Sequence, residues 1–394
     1  EIASCLVGSE MCIRDSFDAL YTIVFQSTHK LLEKFALMSP DQQANLAEER
    51  LSFIRILCTS ISGRIIYYNY PEIDDTVFGN YANKISISFL YQLRKLNFEL
   101  MNLAQENPNL FICDIAGLQN KFGRDAMFDS SIYVTTEMVL SIDCLPYVAS
   151  RTMDIICAAE GKIKKCLILD LDNTVWGGVV GDDGWENIQV GHGLGIGKAF
   201  TEFQQWVKKL RNRGIIIAVC SKNDEEKARE PFEKNPEMVL KLDDIAVFIA
   251  NWNNKADNIR SIQSILNIGF DSMVFLDDNP FERNIVRENI SDITVPELPE
   301  DPGEYLEYLY SLNLFETISY SNADSDRTKQ YQVEAQRVIL QQNFINETDF
   351  LQSLKMVSKV KGFDSFNIPR VAQLSQRSNC LLYTSPSPRD KRQS

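Results

Sequence analysis

The stretch CLILDLDNTVWGGVVGDDG, residues 166–184, ends an apolar run with two aspartates. Asp170 and Asp172 are two positions apart, so in a strand their carboxylates point to the same face and repel each other. A divalent cation removes this repulsion, and a set of hard oxygen ligands favours Mg²⁺. The stretch therefore predicts a site for magnesium and for a phosphoryl group.

Four more polar residues occupy comparable places further along the chain. Ser221 follows the apolar run IIIAVC, Lys255 opens the helical pattern KADNIRSIQSILNIG, and Asp277 and Asp278 end SMVFLDD. Parallel strands bind ligands at their carboxyl ends, so these groups are expected to converge with the first two aspartates.

Each residue type suits one part of phosphoryl transfer. Asp170 is predicted to be the nucleophile that forms an aspartyl phosphate. Asp172 is predicted to protonate the leaving oxygen and later to activate water. Ser221, Lys255 and Thr174 are predicted to bind the phosphoryl oxygens, with Lys255 opposing the charge of the transition state. The predicted metal ligands are four carboxylates: Asp170, Asp172, Asp277 and Asp278.

These residues require a scaffold of alternating strands and helices. From residue 164 to about residue 299, continuously apolar strand patterns alternate with helical patterns, as in a parallel sheet covered on both faces. The predicted fold is therefore α/β, a doubly wound parallel sheet preceded by a second α/β domain. The predicted divisions are 1–16, 17–160, 161–318, 319–379 and 380–394.

Bulk composition excludes several classes of protein. The 394 residues include 40 basic and 54 acidic side chains, and the net charge of −14 argues against non-specific nucleic-acid binding. No apolar run is long enough to span a bilayer, so no membrane association is expected. The nine cysteines form no CxxC pair, and a reducing cytoplasm is the expected location.

The two ends are interpreted as foreign to the protein. VGSEMCIRD and CLLYTSPSPRD can be encoded by opposite strands of one DNA sequence that resembles a sequencing-library adaptor. Residues 1–16 and 380–394 are therefore set aside from the fold. The remainder is expected to be a fragment of a longer protein.

The ordered motifs resemble the haloacid dehalogenase (HAD) superfamily of phosphotransferases. Within it, LDLDNTVWGGVVGDDG, AVCSKNDEEKA, NWNNKADNI and SMVFLDDNPFERN are similar to the FkbH-like branch over roughly residues 164–355. This resemblance implies an enzyme that takes a glyceryl unit from 1,3-bisphosphoglycerate and removes phosphate. The product would be a glyceryl thioester on an acyl carrier protein of a polyketide-type pathway.

The spacing between motifs leaves room for a small flap but not for a cap domain, which suits a substrate displayed on a partner protein. Cys220 is a candidate acyl carrier, because a lysine and a metal nearby would favour its thiolate. Its alternative interpretation is a small buried strand residue that points away from Ser221.

The flanking regions carry weaker signals. The resemblance implies an SGNH-hydrolase-like first domain, in which Asn69 of YYNYP would be a block residue, but with no Asp-x-x-His near residues 129–150 we expect it to be inactive. The segment IPRVAQLSQRSN resembles the start of an acetyltransferase-like domain. The glycines of GHGLGIG lack the spacing of a phosphate loop, so His192 is expected to lie in an exposed loop.

Two rival functions use similar residues. A generic HAD phosphatase acting on a small phosphorylated metabolite or a phosphoprotein would share every aspartate. A receiver-type phospho-acceptor also uses clustered acids, but it places its phosphorylated aspartate on a later strand than its acid pair, whereas here the DxD comes first.

Overall fold

In the computed structural model, the described residues are 19–320 and 327–342, with residues 362 and 368. The chain divides into two compact units, Glu1–Ala335 and Gln336–Ser394, and the first contains both sheets. The interpretations of residues 1–16 and 380–394 lie outside the described residues. So does the acetyltransferase-like segment, apart from Ile368.

The first part of the chain folds around a three-stranded parallel sheet. Its strands are β1 (Tyr21–Val24), β2 (Arg64–Tyr68) and β3 (Leu110–Cys113), in the spatial order β1-β2-β3. Its likeness to an SGNH hydrolase stays a prediction. Its helices are α1 (Thr28–Ala36), α2 (Pro40–Ala44), α3 (Leu46–Ser60), α4 (Phe89–Glu106), α5 (Ile115–Phe122), α6 (Arg124–Met127), α7 (Ser130–Thr136) and α8 (Leu145–Ala159).

The second part folds around a four-stranded sheet, which is also parallel. Its strands, in the order along the chain, are β4 (Cys166–Leu169), β5 (Ile216–Ser221), β6 (Ile245–Ala250) and β7 (Met273–Leu276). Its helices are α9 (Val180–Asp183), α10 (Ile196–Asn212), α11 (Glu225–Lys234), α12 (Lys255–Leu266), α13 (Pro280–Asn289) and α14 (Tyr305–Leu312); α15 (Arg327–Gln342) follows.

The order of these four strands marks the position of a ligand site. In space they run β6-β5-β4-β7, so the chain leaves β4 on one side and returns to it on the other. Such a reversal opens a crevice at the carboxyl end of the strand where it occurs. Asp170 follows β4 directly, so the predicted nucleophile lies at this crevice.

Local sequence fixes the ends of the helices that border the crevice. Asn254 caps α12 by accepting a hydrogen bond from the Ala256 amide, so that Lys255 is the first residue of the helix. Asn279 caps α13, and Pro280 takes the first helical position, where its missing N–H is no loss. After α10, Gly214 adopts a φ of +101°, which reverses the chain into β5.

Each sheet has its own hydrophobic core. The aromatic side chains of Phe200, Phe203 and Trp206 on α10 pack into the second core. The sequence on both sides of Pro40 forms separate helices, because Pro40 begins α2 rather than continuing α1. Among the described helices, none is both long and apolar enough to cross a membrane.

Candidate active site

Three carboxylates meet at the carboxyl ends of β4 and β7. Asp170, Asp277 and Asp278 each offer one oxygen, and these atoms lie within 4.8 Å of one another. Asp170 is held there by its own backbone, whose N–H donates to the carbonyl of Leu276 at 2.9 Å. Its side chain is buried, and its Oδ1 has no hydrogen-bond partner among the described residues. Such a cluster of hard oxygens, one of them unpaired, fits a magnesium ion.

Lys255 supplies the positive charge of the cluster. Its Nζ lies 3.0 Å from Asp170 Oδ2 and 2.6 Å from Asp277 Oδ2, and its side chain is 3% exposed. Burial by itself would lower the pKa of Lys255, but the two neighbouring carboxylates outweigh this effect and raise it. The ammonium therefore stays charged, as a group that opposes phosphoryl charge must.

The surroundings of Asp277 and Asp278 disfavour the charged forms of their carboxyl groups. Burial first, and then the charge of Asp170, raises the pKa of Asp277 and of Asp278 above the usual value for an aspartate. Lys255 works in the opposite direction on both pKa values but does not cancel the increase. One ammonium facing three carboxylates leaves an excess of negative charge, which a divalent cation would balance.

Side chains beneath the cluster fix the turn that carries Asp277 and Asp278. Thr174 is fully buried; its Oγ1 donates to Asp278 Oδ1 at 3.2 Å and accepts from the Asp278 amide at 3.1 Å. Arg283 donates from one nitrogen to both carbonyls, of Asp277 at 2.8 Å and of Asp278 at 2.7 Å. The structure thus gives Thr174, which we predicted to bind phosphate, a bond to an acid of the cluster.

Asp172 has a different environment from the other acids. Its Oδ1 accepts hydrogen bonds from Trp176 Nε1 and the Val180 amide, both at 3.0 Å, and its Oδ2 accepts from Asn223 Nδ2 at 2.9 Å. Its carboxylate is not part of the three-acid cluster, although it was predicted to ligate the metal. Burial is the main cause that raises the pKa of Asp172, and the charge of Asp170 adds to it.

A small flap between β4 and α10 carries the donors to Asp172. Asn173 adopts a left-handed φ of +55°, and its Oδ1 accepts a hydrogen bond from the Gly178 amide at 2.9 Å. Gly177 pairs with Gln189 through two backbone hydrogen bonds of 3.0 and 2.7 Å. This turn brings Trp176 and Val180 back over the strand end.

Ser221 lies where it was predicted, at the carboxyl end of β5 and beside β4. Its side chain is buried, and its Oγ accepts a hydrogen bond from Asn223 Nδ2 at 3.2 Å. The Asn223 amide therefore links Ser221 with Asp172 across the crevice.

Cys220 does not have the surroundings of a reactive thiol. It is fully buried, its Sγ faces the backbone carbonyl of Lys255 at 3.7 Å, and burial raises its pKa strongly. Desolvation of the thiol outweighs the nearby ammonium here, so these surroundings do not favour a thiolate, and the acyl-carrier role of Cys220 stays a prediction. This environment matches the alternative interpretation of a buried strand residue.

Outside this crevice, two other predicted positions are visible. His192 is exposed in its loop, as predicted. Asn69 lies just past β2, where it donates to Asp114 Oδ1 at 2.6 Å and accepts from the Ala116 amide at 2.9 Å. The inactivity of this first domain stays a prediction.

Sequence reasoning missed several residues that hold the site together. Trp176 and Asn223 lie in motifs that carry the family resemblance, WGG and CSKN, but nothing in their spacing indicates a bond to Asp172. For Arg283 there was one signal in the sequence. It is the fourth residue of α13, a helix that begins just after two aspartates. Its buried position depends on packing that a sequence pattern does not reveal.

Comparisons with known proteins identify relatives of this chain. Residues 5–157 match the family model described as FkbH, N-terminal domain. A crystal structure of the N-terminal part of a Bacteroides fragilis protein, described as containing a phosphatase domain complexed with Mg, is similar with a TM-score of 0.75 and 73% sequence identity. The similarity covers 77% of this chain and 80% of that one. No curated protein matches the chain.

Proposed function

The chain belongs to the FkbH-like branch of the haloacid dehalogenase superfamily, and from this membership we propose that it is a Mg²⁺-dependent phosphatase with its active site at the carboxyl end of β4. The observation that carries the proposal is the cluster of Asp170, Asp277 and Asp278 around Lys255. The similar Bacteroides fragilis structure, described as a phosphatase domain with Mg, supports it.

The three clustered acids would hold the magnesium ion. In the described part of the chain, Oδ1 of Asp170 has no hydrogen-bond partner, and both this oxygen and the excess negative charge fit a divalent cation. When bound, the ion would neutralise the acids and draw electron density from the phosphoryl oxygens. Asp172 is proposed to act outside this set, because its two oxygens already accept three hydrogen bonds from the protein.

Asp170 is proposed to attack the phosphorus atom. An oxygen of its carboxylate forms the new P–O bond while the bond to the leaving oxygen breaks, which gives an aspartyl phosphate. Lys255, 3.0 Å from this carboxylate, and Ser221 at the neighbouring strand end would donate to the phosphoryl oxygens as their charge grows. The same ion pair also holds the carboxylate of Asp170 in place.

Asp172 is proposed to move the protons. Its raised pKa favours the protonated form that must give a proton to the leaving oxygen. The resulting carboxylate then takes a proton from water, which attacks the phosphoryl group and releases inorganic phosphate. Trp176, the Val180 amide and Asn223 fix the orientation of this carboxyl group for both steps.

The proposed substrate is 1,3-bisphosphoglycerate, and the proposed product is a glyceryl thioester on an acyl carrier protein. In forming the thioester, a thiolate attacks the acyl carbon, a C–S bond forms, and the C–O bond to the acyl phosphate breaks, so that this group leaves as inorganic phosphate. The phosphate on C3 is the group that Asp170 takes and water then releases, which leaves a glyceryl thioester. We assign the thiol to the carrier rather than to Cys220, whose sulfur is buried against a helix backbone. Exposed apolar side chains at the same edge of the sheet, Trp252 at 75% and Phe281 at 66%, support a protein-borne partner.

The experiment has two readouts. First, phosphate release from a phosphomonoester is measured with and without Mg²⁺, for the parent, Asp170→Asn and the exposed control Asp292→Asn. We expect release to require Mg²⁺ and to fall by about a thousandfold or more in Asp170→Asn, with the control unchanged. Release that persists in Asp170→Asn would overturn the proposed nucleophile.

The second readout is the intact mass of an acyl carrier protein after incubation with the enzyme and 1,3-bisphosphoglycerate. A glyceryl adduct on the carrier supports the transferase reaction. Phosphate release without any adduct would favour the generic HAD phosphatase instead.

A further inference from the structure

A second lysine lies at the crevice and takes no part in the mechanism above. Lys222 directly follows Ser221 at the end of β5, and its Nζ is 2.6 Å from Glu282 Oε1 on α13. Because β4 lies between β5 and β7, and α13 follows β7, this ion pair joins the two sides of the crevice past the end of β4. It therefore lies at the same strand ends as the proposed phosphoryl site.

The two partners differ in their exposure. The side chain of Glu282 is 8% exposed, and its Oε2 is buried without a partner among the described residues. The side chain of Lys222 is 34% exposed. A buried carboxylate holds its counter-ion strongly, so Glu282 fixes the lysine in place at the open side of the crevice.

Lys222 has more N–H donors than its ion pair with Glu282 uses. Lys255 is already shared between Asp170 and Asp277. Lys222 carries three N–H donors, and its bond to Glu282 uses one of them. The remaining donors can reach an anionic group at the mouth of the crevice, beyond the phosphoryl site.

We propose that Lys222 forms a second anion subsite, which binds a carboxylate or phosphate on the part of the substrate that is not transferred. This inference rests on the proposed phosphatase function and narrows its substrate class to short phosphorylated acids with a second anionic group. Glu282 is a positioning residue, because it acts through Lys222.

The test compares two ligands that differ only in the second anion. Glycerate 3-phosphate carries a carboxylate where glycerol 3-phosphate carries a neutral CH₂OH group. The parent, Lys222→Gln, Lys222→Arg and the control Lys234→Gln, whose lysine forms a matched surface pair with Glu230 at 2.6 Å, are assayed for kcat and KM with Mg²⁺. Calorimetry in the Asp170→Asn background measures binding without turnover.

We expect Lys222→Gln to raise KM and Kd for glycerate 3-phosphate about tenfold or more, since one charge-assisted hydrogen bond is lost. Values for glycerol 3-phosphate should change less than about twofold, Lys222→Arg should keep most of the selectivity, and Lys234→Gln should match the parent. Because Lys222→Gln leaves Glu282 without a counter-ion, the double variant Lys222→Gln, Glu282→Gln repeats the measurement without a buried unpaired charge.

Equal losses for both ligands, or no loss in either Lys222 variant, would overturn the subsite. A parent that releases phosphate from both ligands but prefers neither would overturn the subsite and leave the phosphatase function intact. If the parent releases phosphate from neither ligand, the phosphatase proposal fails. Calorimetry then tests the subsite separately. Tighter binding of glycerate 3-phosphate than of glycerol 3-phosphate, if it depends on Lys222, supports the subsite. Equal binding of the two ligands overturns it.

Discussion

Asp170 and Asp172 have the same side chain and lie two positions apart, but the structure gives them opposite surroundings. Asp170 faces an ammonium and two carboxylates, and one of its oxygens has no hydrogen-bond partner among the residues that the structure describes. Asp172 faces an indole N–H, a backbone N–H and an amide N–H. A group with a partnerless oxygen suits attack and metal ligation, whereas a group fixed by neutral donors suits proton transfer.

The bond from Asn223 to Asp172 can be tested by its effect on pH dependence. A donor to a carboxylate stabilises the charged form, so Asn223→Ala should raise the pKa of Asp172 further. We expect the limb of the pH–rate profile that reports Asp172 to move to higher pH, and kcat to fall about tenfold as the group loses its orientation. The profile is compared with that of Asn187→Ala, an exposed asparagine of the flap. A lower kcat with an unmoved limb would indicate a purely structural role for Asn223.

Residue types and order predicted that Asp170, Asp277 and Asp278 would meet, but they also placed Asp172 in that set and did not show what each acid contacts. The DxD, the lysine and the DD pair converge because parallel strands bring their carboxyl ends to one edge, and the sequence records that order. The bond of Thr174 to Asp278, and the burial of Cys220, depend on side-chain packing over 104 and 35 positions of sequence respectively. No local pattern contains that information.

At the scale of elements, the strand order creates the crevice, and the helix cap at Asn254 determines where Lys255 lies. Alternating apolar runs predicted the four strands of the second sheet, yet they did not specify that β4 would lie between β5 and β7. Arg283, on α13, then ties that helix to the carbonyls of the turn after β7. The acids are therefore held by two strands and one helix, without the help of an ion.

This strand-end cluster predicts that the stabilisation by Mg²⁺ depends on pH. Burial raises the pKa of Asp277 and Asp278, so their protonated forms persist above the pH at which an ordinary aspartate ionises. Stability from these groups is present at low pH and is lost as pH rises through their folded pKa values. Mg²⁺ binds the ionised form, so its contribution should grow over the same range.

The measurement is the difference in Tm with and without Mg²⁺ between about pH 5 and pH 8. We expect this difference to increase with pH in the parent and to be small at every pH in Asp277→Asn. A difference that stays constant with pH would contradict a site made of these carboxylates. The subtraction removes the effect of groups elsewhere in the chain that titrate equally in both conditions.

At the scale of the whole molecule, the edge of the sheet that bears the acids also bears exposed apolar side chains. Trp252 follows β6, and Phe281 is the second residue of α13, which follows β7. They therefore lie toward opposite ends of the strand order with the crevice between them. Large apolar side chains left in water around a polar site are typical of a surface that meets another protein. This arrangement suits a substrate carried to the crevice on a partner rather than one that diffuses in alone.

Trp252 and Phe281, here called the rim, predict that two properties can be changed independently. One is the docking of the proposed acyl carrier protein, and the other is the release of phosphate. Trp252→Ala and Phe281→Ala should each raise the KM for an acyl carrier protein about tenfold, because exposed aromatic residues often dominate such interfaces. Phosphate release from a small phosphomonoester should stay within about twofold of the parent, since neither side chain belongs to the acid cluster. Phe98→Ala, which removes a 58% exposed phenylalanine from α4, is the control. Unchanged kinetics with the carrier in both rim variants would show that it docks elsewhere, and an equal loss of small-substrate turnover would show that the rim shapes the crevice itself.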